Sequence, residues 1–332
     1  MIAYIIGVIT LGLIASIIAA GLNVRWGWAG EFDLAYYTFV AIGAYTAAVL
    51  VAGPSAGNVP PGDAWILGYH WPFLVATLVA MLVSGLVSLV LGAVALRKLK
   101  GDYFAITTVA FTLIITAILS QEFRLFNGFN GVFGVPEPFN GTLNLGVDAY
   151  SYFYLGFCLV ILIVVYAVLQ LLYKSPFGRM LRSIREDEQA AAAFGVNVYL
   201  GKLKAYFIGG LVAGLGGALF VGYLGSWDPS TWSPFETFLV FAAVFVGGQA
   251  NMRGSTVGAF IVIVGIPEIT RFLPQIPGHP DLLPAMRDIS IGLLMLAVLR
   301  WRPQGLIPEP RPKDIARSSP PVASPVSAGA DE

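Results

Sequence analysis

Long apolar runs alternate with short polar segments along this chain of 332 residues. A helix needs about 20 apolar residues to cross the hydrocarbon core of a bilayer. Windows of about that length predict nine spans, at roughly 1–23, 34–53, 72–96, 103–121, 150–173, 205–225, 235–250, 255–272 and 286–301. The windows at 235–250 and 286–301 are short, so the pattern allows eight to ten spans. The runs are continuous and do not alternate at every second residue, which favours helices over a closed barrel. We therefore predict an all-α polytopic membrane protein.

Composition agrees with this fold class and limits the chemistry. Hydrophobic residues make up 57% of the chain and charged residues 11%, which excludes an ordinary soluble domain. The lone cysteine, Cys158, lies inside a span, so the sequence predicts neither an intrachain disulfide nor a metal site. The segment from Gly195 to Lys202 has the wrong spacing for a phosphate-binding loop. We expect no catalytic residues and no cofactor in this chain, so any ATP hydrolysis takes place on another subunit.

The distribution of cations predicts the orientation. With nine spans and an external N-terminus, sixteen Lys and Arg residues fall on one side of the membrane and three on the other. Cytoplasmic loops carry the excess of positive charge, so the side with sixteen is expected to be cytoplasmic. Residues 1–307 then form the membrane domain. Residues 308–332 are rich in Pro, Ser and Ala, and are expected to be a disordered cytoplasmic tail.

The segment 174–204 is the largest polar interruption between spans, and it holds six of the 19 Lys and Arg residues. Ser175 and Pro176 predict a helix start, and Gly195 predicts a left-handed stop. Between them, Arg182 and Glu186 stand four apart, as in a helical ion pair, and Ala190–Ala193 favours helix. This predicts a short surface helix with a small, Ala-rich face. Such a helix is either a docking element for a soluble partner or a solvated connector.

Small residues recur every four positions in the later spans. Gly210, Gly214 and Ala218 form one such series, and Gly254 and Gly258 form another. This spacing lets helix backbones approach closely in lipid. It predicts tight packing within the chain, with an interface or a path lining as the alternative.

Glu31 and Asp33 lie beside an apolar window, where a charge is costly. Two interpretations stay open. Both side chains lie at the level of the cytoplasmic headgroups beside Arg25, or they lie at a broken helix and face a polar path. Glu268 and Arg271 are three residues apart, and are expected to form a local ion pair.

Four segments together resemble one family, the permease subunits of ATP-binding-cassette importers for branched-chain amino acids. The segments are 101–111, 175–197, 247–259 and the ending Arg302–Leu306, which reads R-P-Q-G-L. The combination is specific and covers roughly residues 25–307. It is similar to the one of the two paired permeases that carries these motifs.

The resemblance implies a transport role with several partners. It implies a second homologous permease, two cytoplasmic ATPases that bind ATP and Mg²⁺, and an extracytoplasmic solute-binding protein, all working at a prokaryotic plasma (inner) membrane. Nucleic acid is not an expected partner. The segment 174–204 then resembles the loop that couples the permease to the ATPase, with candidate contacts at Arg179, Arg182, Glu188, Ala191, Ala192 and Gly195.

One segment departs from the family pattern. Glu31, Asp33, Ala35 and Tyr36 stand where the family usually has Gln, Ser, Gly and His, and the Asp-Leu pair at 33–34 is similar to ribose-type permeases. Glu31, Asp33 and Tyr36 are therefore the substrate-path candidates. Hydrophobic amino acids are the expected cargo, and a sugar, urea or another small amide is the alternative. A non-catalytic membrane scaffold is the alternative from another class, while an ion-coupled transporter lacks the expected paired intramembrane charges.

Overall fold

Helices form most of the part of the chain that the computed structural model describes, namely residues 2–52, 69–99, 101–232, 234–272 and 282–309. The long helices are α1 (Ile2–Asn23), α2 (Tyr36–Val51), α3 (Phe73–Lys98), α4 (Asp102–Gln121), α7 (Val147–Lys174), α10 (Val198–Leu224), α11 (Pro234–Gly247) and α14 (Leu282–Trp301). The shorter ones are α5 (Phe123–Phe126), α6 (Asn140–Leu143), α8 (Pro176–Glu186), α9 (Glu188–Ala193), α12 (Met252–Ala259) and α13 (Ile266–Arg271).

Seven helical segments within the described ranges are long and apolar enough to cross a membrane. Two shorter apolar helices, Tyr36–Val51 and Phe235–Gly247, occupy the predicted windows 34–53 and 235–250. The chain is thus mostly helical with several candidate spans. The count of about nine stays a prediction, because it depends on whether the two shorter helices also cross.

Two of these long segments contain a π-helical turn. Val24–Trp28 continues α1 in this form, and Phe260–Gly265 joins α12 to α13. Such turns often occur at functional sites, because they shift the register of the side chains that follow.

Helix α10 lies at the centre of the fold and packs against α1, α2 and α3. Its glycines allow the close approach that the four-residue spacing predicts. A Cβ atom at Gly210 would lie 2.6 Å from Cβ of Ser88 on α3, and one at Gly214 would lie 2.7 Å from the carbonyl oxygen of Ala80. The pattern of small residues therefore serves packing within this chain.

The second small-residue motif joins α11, α12 and the chain ending. Any side chain at Gly247 or Gly258 would overlap the backbone of the facing helix. The ending then pairs with this turn, since the Leu306 and Ile307 amides donate to the Val246 and Gly247 carbonyls, both at 2.9 Å. Two segments singled out in the sequence, 247–259 and Arg302–Leu306, thus form one structural unit.

A short two-stranded sheet lies at the end of α10 that is farther from α8 and α9. Strands β1 (Val132–Phe133) and β2 (Ser226–Trp227) pair antiparallel, with Val132 opposite Trp227. This sheet is the one departure from an all-helical architecture among the described residues.

Candidate functional site

The site begins at the break between α1 and α2, where residues 29–35 leave the helical path. Gly30 has a φ of +78°, a conformation that glycine adopts without steric cost. A Cβ atom at this position would lie 3.1 Å from Cγ of Arg185 on α8. The segment 29–35 carries Glu31 and Asp33, so the break places both carboxylates among the neighbouring helices.

Asp33 forms an ion pair with Arg25, and both side chains are fully buried. The guanidinium donates to Oδ2 of Asp33 at 2.6 Å, to Oγ of Ser88 at 2.6 Å and to the Tyr206 carbonyl at 3.0 Å. The other carboxylate oxygen, Oδ1, accepts from the Ala35 amide at 2.9 Å. These hydrogen bonds help the fold to tolerate the buried charge pair, although Nε of Arg25 is buried without a hydrogen-bond partner.

Aromatic rings surround the guanidinium of Arg25. Its Cζ atom lies 4.4 Å from the ring centroid of Phe39, 4.5 Å from that of Tyr206 and 5.1 Å from that of Tyr36. The Tyr36 hydroxyl donates to the Ile18 carbonyl at 2.7 Å. Asp33 and Tyr36, two of the three path candidates, are therefore packed in the protein interior with partners from this chain. Their role in the path stays a prediction.

Glu31 belongs to a second charged group, which we call the Lys202 cluster (Glu31, Glu188 and Lys202). The Lys202 ammonium on α10 pairs with both carboxylates, one from the break and one from α9. Burial raises the pKa of Glu31, and the charge of Lys202 opposes that shift. The cluster thus ties the break between α1 and α2 directly to the loop 174–204.

A cavity of about 880 Å³ opens beside this cluster, and we call it the α9 cavity. Its lining includes Glu31, Arg97, Asp102, Ala192 and Lys202. It therefore lies between the break, the C-terminal end of α3, the first turn of α4 and the start of α10.

The loop 174–204 contains two helices, α8 and α9, where the sequence predicts one. Asp187 is extended, with φ −155° and ψ 108°, and separates them. Its Oδ1 accepts from the Gln189 amide at 2.8 Å and from the Ala190 amide at 3.0 Å. The single-helix prediction is wrong because a capping aspartate starts a new helix, as Asp does at N-terminal cap positions.

The predicted start of α8 is confirmed, since Ser175 occupies the N-cap position and Pro176 begins the helix, although the Ser175 hydroxyl donates back to the Leu172 carbonyl at 2.6 Å and makes no capping hydrogen bond. The predicted ion pair is wrong, because Arg182 forms none with Glu186 among the described residues. Its guanidinium donates to the Tyr173 hydroxyl at 3.4 Å, and its Cζ lies 4.6 Å from the centroid of that ring.

The candidate coupling residues differ in exposure. Ala191 is only 4% exposed, whereas Ala192 and Gly195 are exposed, and Gly195 has the predicted left-handed φ of +83°. Arg179 is exposed as well. Phe194, which the sequence analysis did not select, is 87% exposed. The exposed surface of α9 and of the turn that follows it therefore consists of Gln189, small residues and one aromatic ring.

A third set of contacts joins α8 to the π turn before the break and to the chain ending. Arg185 donates to the Gly27 carbonyl and pairs with Glu309 at 2.7 Å. Tyr173 donates to the other carboxylate oxygen of Glu309, also at 2.7 Å, and Asn251 donates to the Pro308 carbonyl at 2.8 Å. Two residues of the predicted tail, 308 and 309, thus pack on the fold. Its remainder, 310–332, lies outside the described residues.

Sequence reasoning missed Lys202, Arg185 and Glu309 as members of this site. For Lys202 the sequence contains a signal, because Lys202, Tyr206 and Gly209 stand at helical spacing on one face of α10. In the structure that face is buried. Glu309 carries no comparable signal, because it lies in a Pro-rich segment without apolar periodicity.

Lys202→Met is expected to lower the melting temperature of the purified protein, because Glu31 and Glu188 lose their counter-charge. A buried polar group left without its partner costs about 1–3 kcal/mol, and more when it is charged. Adding Glu31→Gln should restore part of the loss, since it removes the more buried carboxylate charge.

Lys204→Met is the matched control, because Lys204 is exposed two residues farther along the same helix. Thermal unfolding in detergent measures all three variants. Equal melting temperatures for Lys202→Met and Lys204→Met would contradict a structural role for the Lys202 cluster.

Comparisons with known proteins agree with one another. The family model for the permease component of the branched-chain amino acid transport system matches residues 4–299. The high-affinity branched-chain amino acid permease LivM of Salmonella typhimurium is 30% identical, over 93% of this chain and 71% of its own length. The probable LivM of Methanocaldococcus jannaschii is 27% identical, over 70% of this chain and 68% of its own.

A more distant relative is the ribose import permease RbsC of Bacillus subtilis, which is 28% identical over 42% of this chain and 46% of its own length. The comparison with solved structures finds no match. The family match covers most of the chain and agrees with a helical, multi-pass architecture. The chain therefore belongs to the permease family of branched-chain amino acid transport systems.

Proposed function

We propose that this chain is a translocation subunit of an ATP-binding-cassette importer for branched-chain or other hydrophobic amino acids. The family match and the branched-chain amino acid transport role of the LivM relatives support this cargo. The chain works with a second homologous permease, two cytoplasmic ATPases and an external solute-binding protein in the plasma membrane of a prokaryote. ATP and Mg²⁺ bind the ATPases, and this subunit performs no hydrolysis.

One observation carries the mechanism: the loop 174–204 contacts the segment 27–31, where the π turn ends and the break between α1 and α2 begins, at two separate places. Glu188 reaches it through Lys202 and Glu31, and Arg185 reaches it at the Gly27 carbonyl. When the ATPases close, they displace α8 and α9. Because ion pairs and hydrogen bonds join these helices to residues 27–31, the displacement moves the break and the helices on either side of it.

The Arg25–Asp33 pair fixes the buried end of the break in place. It holds the break against α3 and α10 through Ser88 and the Tyr206 carbonyl. Motion of the loop is then transmitted to the packing of α1 and α2 against α10. This alternates access to a path at the interface of the two permeases.

A sugar is the second candidate cargo, because the ribose permease RbsC is a relative and the segment 33–34 resembles that type. Urea or another small amide is a third. A non-catalytic scaffold would use the same loop only to anchor a soluble partner.

Uptake by the reconstituted complex tests the proposal. The permease pair and the ATPases are placed in proteoliposomes with the binding protein outside, and labelled leucine, ribose and urea are offered with ATP inside. We expect accumulation of leucine that disappears when an ATPase-inactive partner is used. Accumulation of ribose or urea without leucine would show that the cargo is a sugar or a small amide. Stable ATPase binding without uptake of any solute would favour the scaffold.

A further inference from the structure

A second cavity, of about 380 Å³, lies toward the end of the bundle away from α8 and α9. It is lined by residues of α1, α2, α10, α11, the π turn Phe260–Gly265 and α13. The volume falls in the range of pockets that bind small ligands. We call it the Glu236 cavity after the carboxylate in its wall.

Two polar groups of this cavity have no direct partner among the described residues. Glu236 forms no hydrogen bond and no contact ion pair, and the charges of Arg287 and Asp288, which pair with each other, act on it from farther away. The Tyr37 hydroxyl is also without a hydrogen bond, although Tyr37 is only 8% exposed and lines the cavity. A second carboxylate in the wall, Glu268, is already engaged, by the Tyr4 hydroxyl and by Arg271 at 3.9 Å.

Apolar side chains make up most of the remaining wall: Ile18, Phe220, Leu239 and Val264 are examples. A carboxylate that no cation contacts directly is costly among such groups in a membrane protein. A ligand that brings a cation offsets this cost, and a branched alkyl group on the same ligand fills the apolar space. Pockets with apolar walls and a few convergent polar groups bind ligands in this way.

We propose that the Glu236 cavity binds the ammonium and alkyl parts of a small primary amine, with Glu236 and Tyr37 accepting hydrogen bonds from the ammonium. This inference rests on the proposed function in one respect: the natural ligand is then the cargo amino acid on its way through the permease. The described residues of the cavity wall include no Lys or Arg, so the proposed contact is with the ammonium and not with the carboxylate of an amino acid.

Three small molecules that share one branched alkyl chain test the site. They are added to the full transporter complex without the binding protein. L-Leucine has both charged groups, 3-methylbutylamine has only the ammonium, and 4-methylpentanoate has only the carboxylate. Calorimetric titration should detect leucine and 3-methylbutylamine, with 4-methylpentanoate weaker by about tenfold or more, because a charge-assisted hydrogen bond is lost. Binding of 4-methylpentanoate as tight as that of the amine would overturn the proposal.

Substitutions of the polar residues in the wall test whether the amine binds in this cavity. Glu236→Gln should weaken 3-methylbutylamine by about tenfold or more, and Tyr37→Phe by less, since it removes a neutral group. Glu122→Gln is the matched control, a carboxylate at the end of α4 outside the cavity. Amine binding that is unchanged in Glu236→Gln would place the ligand elsewhere.

A thiol introduced by Leu239→Cys in the cavity wall gives a second readout. Saturating 3-methylbutylamine should slow its alkylation, and adding Glu236→Gln should abolish that protection. The native Cys158 is fully buried and serves as an internal reference. Loss of amine binding in Glu236→Gln, together with no leucine uptake by the wild type, would support the amine site and reject the proposed cargo. Normal leucine uptake by Glu236→Gln would reject the claim that the cargo passes through this cavity, and it would leave the importer function supported.

Discussion

Asp33→Asn is expected to destabilise the permease by about 3–5 kcal/mol, because it leaves the charge of the fully buried Arg25 without a counter-ion. The side chain keeps its size, so the effect reports charge and not packing. The yield of monodisperse protein and the melting temperature in detergent measure it. Both should fall clearly below the wild-type values.

The double variant Arg25→Met with Asp33→Asn is the control, since it removes both charges from the same place. Replacing both partners of a buried pair by neutral groups often costs little. We expect it to be more stable than Asp33→Asn alone. A single variant as stable as the wild type would contradict the structural role of the pair.

Transport by Asp33→Asn separates the two interpretations of this residue. A folded, assembled variant with altered uptake would support Asp33 as part of the path, as the departure from the family pattern predicts. Normal uptake across a panel of solutes would remove Asp33 from the path. In either case the variant's assembly with the second permease and the ATPases is measured first.

Ala192→Glu is expected to release the ATPase from the complex or to stop transport, while the permease itself still folds. Ala192 is exposed on α9, and Glu is nearly as favourable as Ala within a helix. A carboxylate buried without a partner at a close helix contact is costly. A cost of about 1.4 kcal/mol weakens association tenfold, so we expect the affinity of the permease for the ATPase to fall at least tenfold.

Co-purification of the ATPase with a tagged permease, followed by uptake in proteoliposomes, measures the effect. Ala192→Ser is the matched control, because it keeps a small side chain at the same position, and it should behave as the wild type. Ala191→Glu should instead damage the permease itself, since Ala191 is buried. Normal ATPase retention and normal uptake in Ala192→Glu would show that the loop 174–204 is only a connector.

The positions of the helices followed from the sequence to a large extent. Every predicted window contains a helix or part of one, because continuous apolar runs have only one common solution in lipid. Helix ends in the polar loop were less predictable. Asp187 competes for the backbone amides of its own neighbours, and this local contact divides α8 from α9.

The residue pairs that form the site could not be predicted from the sequence. Glu31 and Lys202 are 171 positions apart, and Arg185 and Glu309 are 124 apart. No periodicity joins such pairs, since each depends on how α8, α9 and α10 pack against the break and the chain ending. The same holds for the Glu236 cavity, whose wall comes from six separate elements.

Composition and local spacing are enough to predict the membrane class, the helix windows, the cationic loop and the family resemblance. They also mark Glu31 and Asp33 as unusual, since a charge beside an apolar run has a high desolvation cost. The groups that offset this cost, Arg25 for Asp33 and Lys202 for Glu31, are visible only in the folded chain. A desolvation cost is local to a residue, whereas the charge that offsets it comes from whichever helix packs beside it.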